Sequence, residues 1–394
     1  MTRDVFVAGV GMIPFSKPGA SPTYDEMGAQ AMRLALADAG LAYSHVQQVY
    51  AGYVYGDSCC GQRAVYAVGM SGVPVFNVNN NCSTGSTALF LARQAVASGS
   101  VDCALAVGFE QMKPGALGSA WPDRPDPFDR FEQEADALLQ VEGVPLALRY
   151  FGGAGLAHMQ QYGTQLSTFA SIRAKASRHA ANNPLALLRK VVTTEEVLAS
   201  PMIWPGVMTR LMACPPTCGG AAAIVCSEAF AAQHGLDRSV RIRAQAMTTD
   251  TASTFDAHDM RQLVGVDMTR AAARQVYEQA GIGPEDIDVV ELHDCFAHNE
   301  LLTYEGLGLC PDGGAEKFVL DGDNTYGGRY VTNPSGGLLS KGHPLGATGL
   351  AQCTELVNQL RGAAGSRQVA SSRLALQHNL GLGGACVVTL YERV

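Results

Sequence analysis

The chain has 394 residues, of which 47% are hydrophobic, which is enough for a large buried core in more than one domain. Its formal net charge of −8, without a dense run of Lys and Arg, argues against a nucleic-acid-binding surface. No segment approaches the roughly 20 apolar residues of a membrane span, and the N-terminus lacks a signal-peptide core, so we expect a cytoplasmic protein.

The first elements alternate between strands and helices. Val5 to Val10 is typical of a buried strand, Tyr24 to Ala39 has a helical pattern, and Val46 to Tyr55 predicts a second strand. A helix that begins near Cys82 is followed by a predicted strand over Asp102 to Gly108. This alternation predicts a mixed α/β layered fold.

The segment from residue 121 to about 205 differs from its surroundings, because a proline-rich turn leads into helices with scattered charge. We predict an inserted loop domain here, followed by a strand over Ala221 to Cys226 that returns to the first sheet. The predicted domains are an N-terminal half at 1–120, the inserted loop domain at 121–205, the return to the N-terminal half at 206–238 and a C-terminal half at 239–394.

The two ends of the chain resemble each other. The pattern Cys82-x-x-Gly85-x-Thr87-x-Leu89 is repeated as His343-x-x-Gly346-x-Thr348-x-Leu350, and each copy opens a predicted helix. The strands predicted to follow these helices are Asp102 to Gly108 and Ala385 to Tyr391. We infer a duplicated α/β unit, in which pseudo-two-fold symmetry brings Cys82 and His343 together at the centre.

Cys82 lies where a strand and a polar turn lead into a helix, so the helix dipole and free backbone N–H groups favour a thiolate. A buried structural cysteine is the alternative interpretation. The equivalence with His343 favours a nucleophile, since an imidazole can take the proton of a neighbouring thiol. We expect the eleven cysteines to be reduced, and the C-x-x-x-C pair Cys214 and Cys218 is only a weak hint of a metal site.

A second group of reactive side chains follows the apolar run Ile287 to Leu292, at the carboxyl end of a predicted strand. His293 and Cys295 suit proton transfer and oxyanion stabilisation. A zinc site formed with Cys82 or His343 is the alternative, but no paired ligand spacing supports it, and we predict no metal.

Three further features are weaker candidates. The segment Gln377 to Gly384 is predicted as a loop before a strand, whose glycines could bring backbone N–H donors to an oxyanion. His158 of the inserted domain could line an acyl pocket. The basic residues of that domain either meet phosphates or form a solvated helix face: Arg173, Lys175, Arg178, Arg189 and Lys190.

With these segments together, the chain resembles the thiolase superfamily, and in particular the thiolases of the sterol-carrier-protein type. The resemblance covers nearly the whole chain and is strongest in the runs Asn77 to Leu89, Glu291 to Phe296 and Asn333 to Gln352. It implies a five-layered αβαβα fold of two duplicated α/β halves, with an inserted loop domain that covers CoA. It also implies a homodimer or a dimer of dimers that uses acyl-CoA and CoA as substrates, without a bound cofactor.

The resemblance assigns roles to individual residues. Cys82 accepts the acyl group, His343 activates it, and Cys295 serves as acid and base in place of the second cysteine that ordinary thiolases carry in their last glycine loop. His293 joins His343 in one oxyanion hole, and the backbone N–H groups of Cys82 and Gly381 form the other. Weaker candidates for the oxyanion site or for substrate binding are Asn379, His158, Arg178, Phe296 and His378.

Two departures from the family concern substrate handling. Cys218 stands where the family usually has an acidic residue, and the stretch from Trp121 to Val144, which should shape the acyl tunnel, is divergent.

The sequence leaves three functions open. The first is cleavage of 3-oxoacyl-CoA by CoA, in the degradation of fatty acids or sterol side chains. The second is retro-aldol cleavage of steroid side-chain CoA esters together with a small partner protein, and the third is non-catalytic binding of CoA or lipid. Retention of Cys82 favours the first, because the retro-aldolases typically lack this nucleophile.

Overall fold

The computed structural model describes residues 3–113, 121, 123–139, 141 and 143–394. The predicted domain boundary at residue 120, and part of the stretch from Trp121 to Val144, lie outside these residues. The other domain limits given above remain predictions.

The strands are β1 Val5–Met12, β2 Gln48–Gly52, β3 Val75–Val78, β4 Cys103–Glu110, β5 Met202–Trp204, β6 Met208–Thr209, β7 Gly219–Ser227, β8 Val240–Thr248, β9 Val289–Glu291, β10 Val331–Thr332, β11 Leu374–Gly381 and β12 Ala385–Arg393. The helices are α1 Tyr24–Ala39, α2 Cys60–Tyr66, α3 Thr84–Ala97, α4 Asp129–Leu138, α5 Leu146–Tyr162, α6 Leu166–Ala181, α7 Thr194–Leu198, α8 Glu228–His234, α9 Ser253–Asp256, α10 Met260–Leu263, α11 Val266–Ala280, α12 Ala297–Gly306, α13 Ala315–Leu320 and α14 Thr348–Arg361. Within the described residues, none of these helices has the length and apolar character that crossing a membrane requires.

The main sheet repeats one strand order twice. Its order is β10-β9-β11-β12-β8-β1-β7-β4-β2-β3, and its centre is joined by the pair Phe6 and Arg241. Outward from this joint the order is β1-β7-β4-β2-β3 on one side and β8-β12-β11-β9-β10 on the other, with the same parallel and antiparallel pairs. The predicted duplication is therefore confirmed, and α3 and α14 are equivalent helices.

The structure corrects one predicted element of the second half. Gln377 to Gly381 belongs to strand β11, and the turn is confined to residues 382–384. The side chains of Gln377 and Asn379 are buried against a middle helix: Gln377 Nε2 donates to Ser86 Oγ at 2.7 Å, and Ser86 Oγ donates to Asn379 Oδ1 at 2.8 Å. The equivalent of β4 is therefore β11, whereas β12 corresponds to β7.

Five layers result from the packing of helices on the two sheet halves. Helices α3 and α14 share one apolar core with strands of both halves, and they form the middle layer. Helix α1 covers the outer face of the first half and α11 covers that of the second. The order helix, sheet, helix, sheet, helix agrees with the predicted fold.

Glycines allow the halves to touch backbone to backbone near the middle layer. A Cβ atom at Gly108 would lie 2.0 Å from the carbonyl oxygen of Gly346, and one at Gly85 would lie 2.7 Å from the same oxygen. Backbone atoms cannot move aside as a flexible side chain can, so glycine is required at both positions. This contact brings the turn after His343 against the first half.

The insertion between β4 and β7 packs on the second half of the molecule. Helices α5 and α6 contact α12, and Lys175 of α6 forms a buried ion pair with Glu300 of α12. Strand β7 then returns to the first half, between β1 and β4. The insertion therefore lies over the side of the second half from which α12 begins.

Replacing Gly108 by Ala is expected to lower the free energy of unfolding by about 3 kcal/mol, because the added methyl group overlaps the Gly346 carbonyl. Gly235→Ala is the control, since Gly235 has a φ of 65° but no atom near its missing Cβ, and strain alone should cost about 1 kcal/mol. Urea unfolding measures both. Equal losses of unfolding free energy in the two variants would show that the overlap with the Gly346 carbonyl does not destabilise the Gly108 variant.

Candidate active site

The turn before α3 presents Cys82. Asn81 adopts a left-handed conformation with a φ of 49°. Ser83 Oγ donates to Asn80 O at 2.8 Å, and Thr84 Oγ1 donates to Asn81 O at 2.6 Å. These bonds fix the start of the helix, and the Cys82 thiol lies 3.6 Å from Asn81 Oδ1.

Two histidines of the second half meet Cys82. The Cys82 Sγ and one ring nitrogen each of His293 and His343 all lie within 4.8 Å of one another. The two rings are nearly perpendicular, with centroids 5.0 Å apart. His293 follows β9 and His343 precedes α14, so the structure brings together residues that the sequence places in different halves.

Hydrogen bonds define the proton position on His343. Thr348 Oγ1 lies 2.7 Å from His343 Nδ1 and donates its own proton to Pro344 O at 2.9 Å. Thr348 therefore accepts from Nδ1–H, which leaves the lone pair of the ring on Nε2. Burial lowers the pKa of His343 to about 3, and among the described residues Nε2 has no hydrogen-bond partner. This atom is free to accept a proton.

His293 has the opposite tautomer. Asn379 Nδ2 donates to the backbone oxygen of Cys82 at 3.2 Å, and because a carbonyl oxygen can only accept, this amide atom is the nitrogen. The same nitrogen lies 3.0 Å from His293 Nδ1. His293 Nδ1 therefore accepts, and Nε2 carries the proton. Burial, followed by the neighbouring rings of His343 and His378, lowers the pKa of His293 well below its usual value, so this ring is a neutral donor.

The Cys82 sulfur is a neutral thiol in the resting protein, which corrects the thiolate expected from its place at a helix start. Burial raises the pKa of Cys82 to about 12, and the nearby carboxylate of Glu110 adds to the rise. Desolvation disfavours the charged sulfur more than the helix dipole favours it. A proton must therefore leave Cys82 when the sulfur attacks an electrophile.

Cys295 lies opposite a third thiol. The Cys214 N–H donates to Cys295 O at 2.9 Å, and Ala213 pairs with Phe296 in a short antiparallel bridge. Burial, followed by Cys214 and Cys82, raises the pKa of Cys295 well above its usual value, so this thiol is protonated. The spacing of Cys214 and Cys218 could not reveal that Cys214 belongs beside Cys295.

Comparison with known proteins places this site in a family. A profile of the thiolase N-terminal domain matches residues 5–120, and a profile described as thiolase C-terminal domain-like matches residues 249–391. Sterol carrier protein 2 of Oryctolagus cuniculus is 54% identical over 98% of this chain and 72% of its own length. The chain belongs to the thiolase family.

A more distant relative agrees with this thiolase assignment, and a solved structure shares the fold. Acetyl-CoA acetyltransferase of Methanothermobacter thermautotrophicus is 33% identical over 99% of this chain and 100% of its own length. The solved structure titled "Ltp2-ChsH2(DUF35) aldolase" matches with a TM-score of 0.84 and 23% identity, covering 100% of this chain and 98% of that chain. The latter likeness concerns the fold alone.

Other predicted residues surround the thiolase centre. Gly381 packs against the turn before Cys82, since a Cβ there would lie 2.3 Å from Asn80 O. His378 Nε2 lies 3.0 Å from Thr269 Oγ1, and its Nδ1 accepts from the His293 N–H at 3.4 Å. Phe296 stacks on Phe151 of the insertion, with ring centroids 5.0 Å apart.

His158 is engaged elsewhere. The ring is buried, with Nδ1 2.9 Å from Thr164 Oγ1 and Nε2 2.9 Å from Glu305 Oε1. Both nitrogens have partners within the protein, so neither is free for a ligand. The ring therefore connects α5 to α12 in this thiolase.

The basic residues of the insertion separate into two groups. Arg173 and Lys175 are buried and bond to Ser340 and Glu300, so the expectation that they meet phosphates or solvent is wrong. The exposed members are Arg178, Arg189 and Lys190.

The expectation that this thiolase holds no metal stays a prediction. Among the described residues, Cys82, His293 and His343 lie close enough together to hold an ion.

Thr348→Val is expected to slow the alkylation of Cys82 by iodoacetamide about tenfold at pH 7.5, because His343 Nδ1–H loses its acceptor and the preference for a free Nε2 is lost. Thr348→Ser keeps the hydroxyl and should react like the unmodified protein. Peptide mass spectrometry follows the labelling of Cys82. An unchanged rate in the Val variant would show that Thr348 does not set the tautomer.

Proposed function

We propose that the protein is a 3-oxoacyl-CoA thiolase, which transfers an acyl group from its substrate to CoA through Cys82. The observation that carries this proposal is the pair of opposite imidazole tautomers beside the half-buried thiol of Cys82. His343 Nε2 is available to accept a proton, whereas His293 Nε2 has a proton to donate. Nucleophilic attack on a carbonyl needs both functions at one place.

In the first step, the Cys82 sulfur attacks the C3 carbonyl of the substrate while its proton passes to His343 Nε2. The negative charge that develops on the carbonyl oxygen is stabilised by the His293 N–H and by the newly formed His343 N–H. Both rings are neutral at the start. The positive charge that His343 gains with the proton therefore balances the negative charge that develops on the carbonyl oxygen. The backbone N–H groups of Cys82 and Gly381 are proposed to form a second oxyanion hole.

In the second step, the bond between C2 and C3 breaks and its electron pair remains on C2. Cys295 gives its proton to this carbanion, and the fragment that contains C1 and C2 leaves as acetyl-CoA while the shortened acyl chain stays on Cys82 as a thioester. The high pKa of the Cys295 thiol keeps that proton in place until a strong base is generated beside it. Cys295 then takes the proton of an incoming CoA thiol, whose sulfur attacks the Cys82 thioester. The shortened acyl-CoA forms as the Cys82 sulfur leaves, and this sulfur regains its proton from His343.

We assign the phosphate end of the substrate to exposed basic residues and its acyl end to apolar residues. The exposed side chains of Arg178, Arg189 and Lys190 are proposed to meet the phosphates of CoA. An apolar wall lies near the turn after Gly381, where Phe128 would be 3.4 Å from a Cβ at Gly383 and Phe131 packs on Phe255. We assign this wall to the acyl chain, in line with degradation of fatty acids or sterol side chains.

Cys82→Ala is expected to reduce CoA-dependent cleavage of 3-oxoacyl-CoA esters to background, because no acyl-enzyme can form. Cys59→Ala, which removes an exposed thiol, is the matched control and should keep full activity. A panel of straight, branched and steroidal esters, followed by loss of the 3-oxoacyl thioester, gives the measurement.

The outcomes separate the three functions. Loss of thiolysis in the Cys82 variant supports the proposal. Cleavage of steroidal 3-hydroxyacyl-CoA esters by that variant, followed in a separate assay, favours retro-aldol cleavage. Absence of any cleavage by the unmodified protein across the panel would favour a binding protein.

We also propose a homodimer that forms through strand β3. The two outermost strands of the main sheet differ: Lys175 of α6 lies over β10, with its Nζ 2.7 Å from Thr332 Oγ1, whereas no described strand pairs with the outer edge of β3. Phe76 on β3 is 45% exposed. An open edge with an exposed aromatic side chain favours pairing with a second copy.

Phe76→Lys is expected to convert the dimer to a monomer, because a charge at this edge opposes pairing. Leu320→Lys changes a side chain that is 70% exposed on α13, far along the chain from β3, and should leave the dimer intact. Light scattering during size-exclusion chromatography measures the mass. A monomeric unmodified protein, or a dimer in both variants, would exclude this interface.

A further inference from the structure

Glu110 ends strand β4, and only 1% of its surface is exposed. Its carboxylate accepts three backbone N–H bonds: from Val54 at 3.1 Å, from Tyr55 at 3.0 Å and from Gly346 at 3.0 Å. Val54 and Tyr55 follow β2 in the first half, whereas Gly346 comes three residues after His343 in the second. One carboxylate therefore joins a loop of each half.

The same loops pack beside the nucleophile. Val54, Tyr55 and Cys82 pack on a small apolar cluster that contains Leu345, the neighbour of Gly346. Among the described residues, no Lys, Arg or His forms an ion pair with Glu110. Its negative charge is stabilised by N–H dipoles and acts on the Cys82 sulfur without a neutralising partner.

We propose that Glu110 is a positioning residue with an electrostatic role: it fixes the turn after His343 against the first half, and its charge adds to the effect of burial in keeping the Cys82 sulfur protonated until a substrate carbonyl is present. The benefit of a protonated sulfur to the enzyme rests on the proposed acyl transfer. The effect of Glu110 on the reactivity of Cys82 does not, and it can be measured without any acyl-CoA.

Among the described groups that act on Cys82, Glu110 is the one whose charge changes close to neutral pH. The other titratable groups beside the sulfur are His293, His343, Cys214 and Cys295. Burial lowers the pKa values of both histidines and raises those of both thiols, so all four are neutral between pH 6 and pH 9. Burial raises the pKa of Glu110 to about 7, against the opposing effect of its three N–H bonds, so its charge is present above that pH.

Alkylation of Cys82 by iodoacetamide tests this role on the 394-residue chain between pH 6 and pH 9. Glu110→Gln keeps the length of the side chain and removes its charge, so we expect Cys82 to react about three to ten times faster at pH 8. The acceleration should shrink below pH 7, where Glu110 is itself protonated. A rate in the Gln variant equal to or below that of the unmodified protein at pH 8 would overturn the electrostatic role.

Asp294→Asn provides a matched control. Asp294 is also buried and accepts from the backbone N–H groups of Leu338 and Leu339, which precede His343 on the same segment. Its loss weakens the support of His343 without removing a charge that acts on Cys82, so we expect no acceleration. Equal acceleration in both variants would mean that loosening of the segment, and not charge, controls the sulfur.

Glu110→Asp decides the matter if the Gln variant fails to fold. This variant keeps the charge, but its shorter side chain cannot reach all three N–H groups, so we expect a lower melting temperature and slower turnover without faster alkylation. Faster alkylation, or turnover equal to that of the unmodified protein, would overturn the proposal. If the unmodified protein cleaves no 3-oxoacyl-CoA, the proposed function fails while the alkylation result still stands.

Discussion

The backbone contact between the two halves is the constraint on which the rest of the site depends. Gly108 and Gly85 of the first half leave room for the carbonyl of Gly346, so the turn that follows His343 reaches the helix that begins beside Cys82. Side chains at these positions would hold the loops apart and separate the sulfur from the imidazoles. The meeting of the sulfur with the imidazoles thus depends on a close backbone contact that only glycine permits.

Burial gives this centre its electrostatic character. The sulfur and the two rings are all neutral at rest, because the interior penalises every charged form. Since these three groups carry no charge that could orient them, hydrogen bonds orient them instead, and Thr348 and Asn379 hold the rings in opposite tautomers. The side chains of Thr348 and Asn379 thereby determine which ring accepts a proton and which one donates it.

The sequence predicted the duplication, the middle helices and the meeting of Cys82 with His343, because each rests on a local motif that occurs twice. It misplaced Gln377 to Gly381, since buried polar residues in a strand look like a loop until their partners on another layer are known. Glu110, Thr348 and Cys214 were not recognised, because their roles arise from contacts between segments far apart in the chain. Arg173 and Lys175 were expected at the surface for the same reason: their buried partners lie on the other half.

The repeated strand order also bears on how such a site can arise. An ancestral unit with a single half would have had to associate as a symmetric pair, and a two-fold axis places the same amino acid on both sides of the interface. Under that symmetry a cysteine at one helix start cannot face a histidine at the equivalent start of the other copy. Fusion of the copies into one polypeptide removes the restriction, so that one helix start became cysteine and its counterpart histidine.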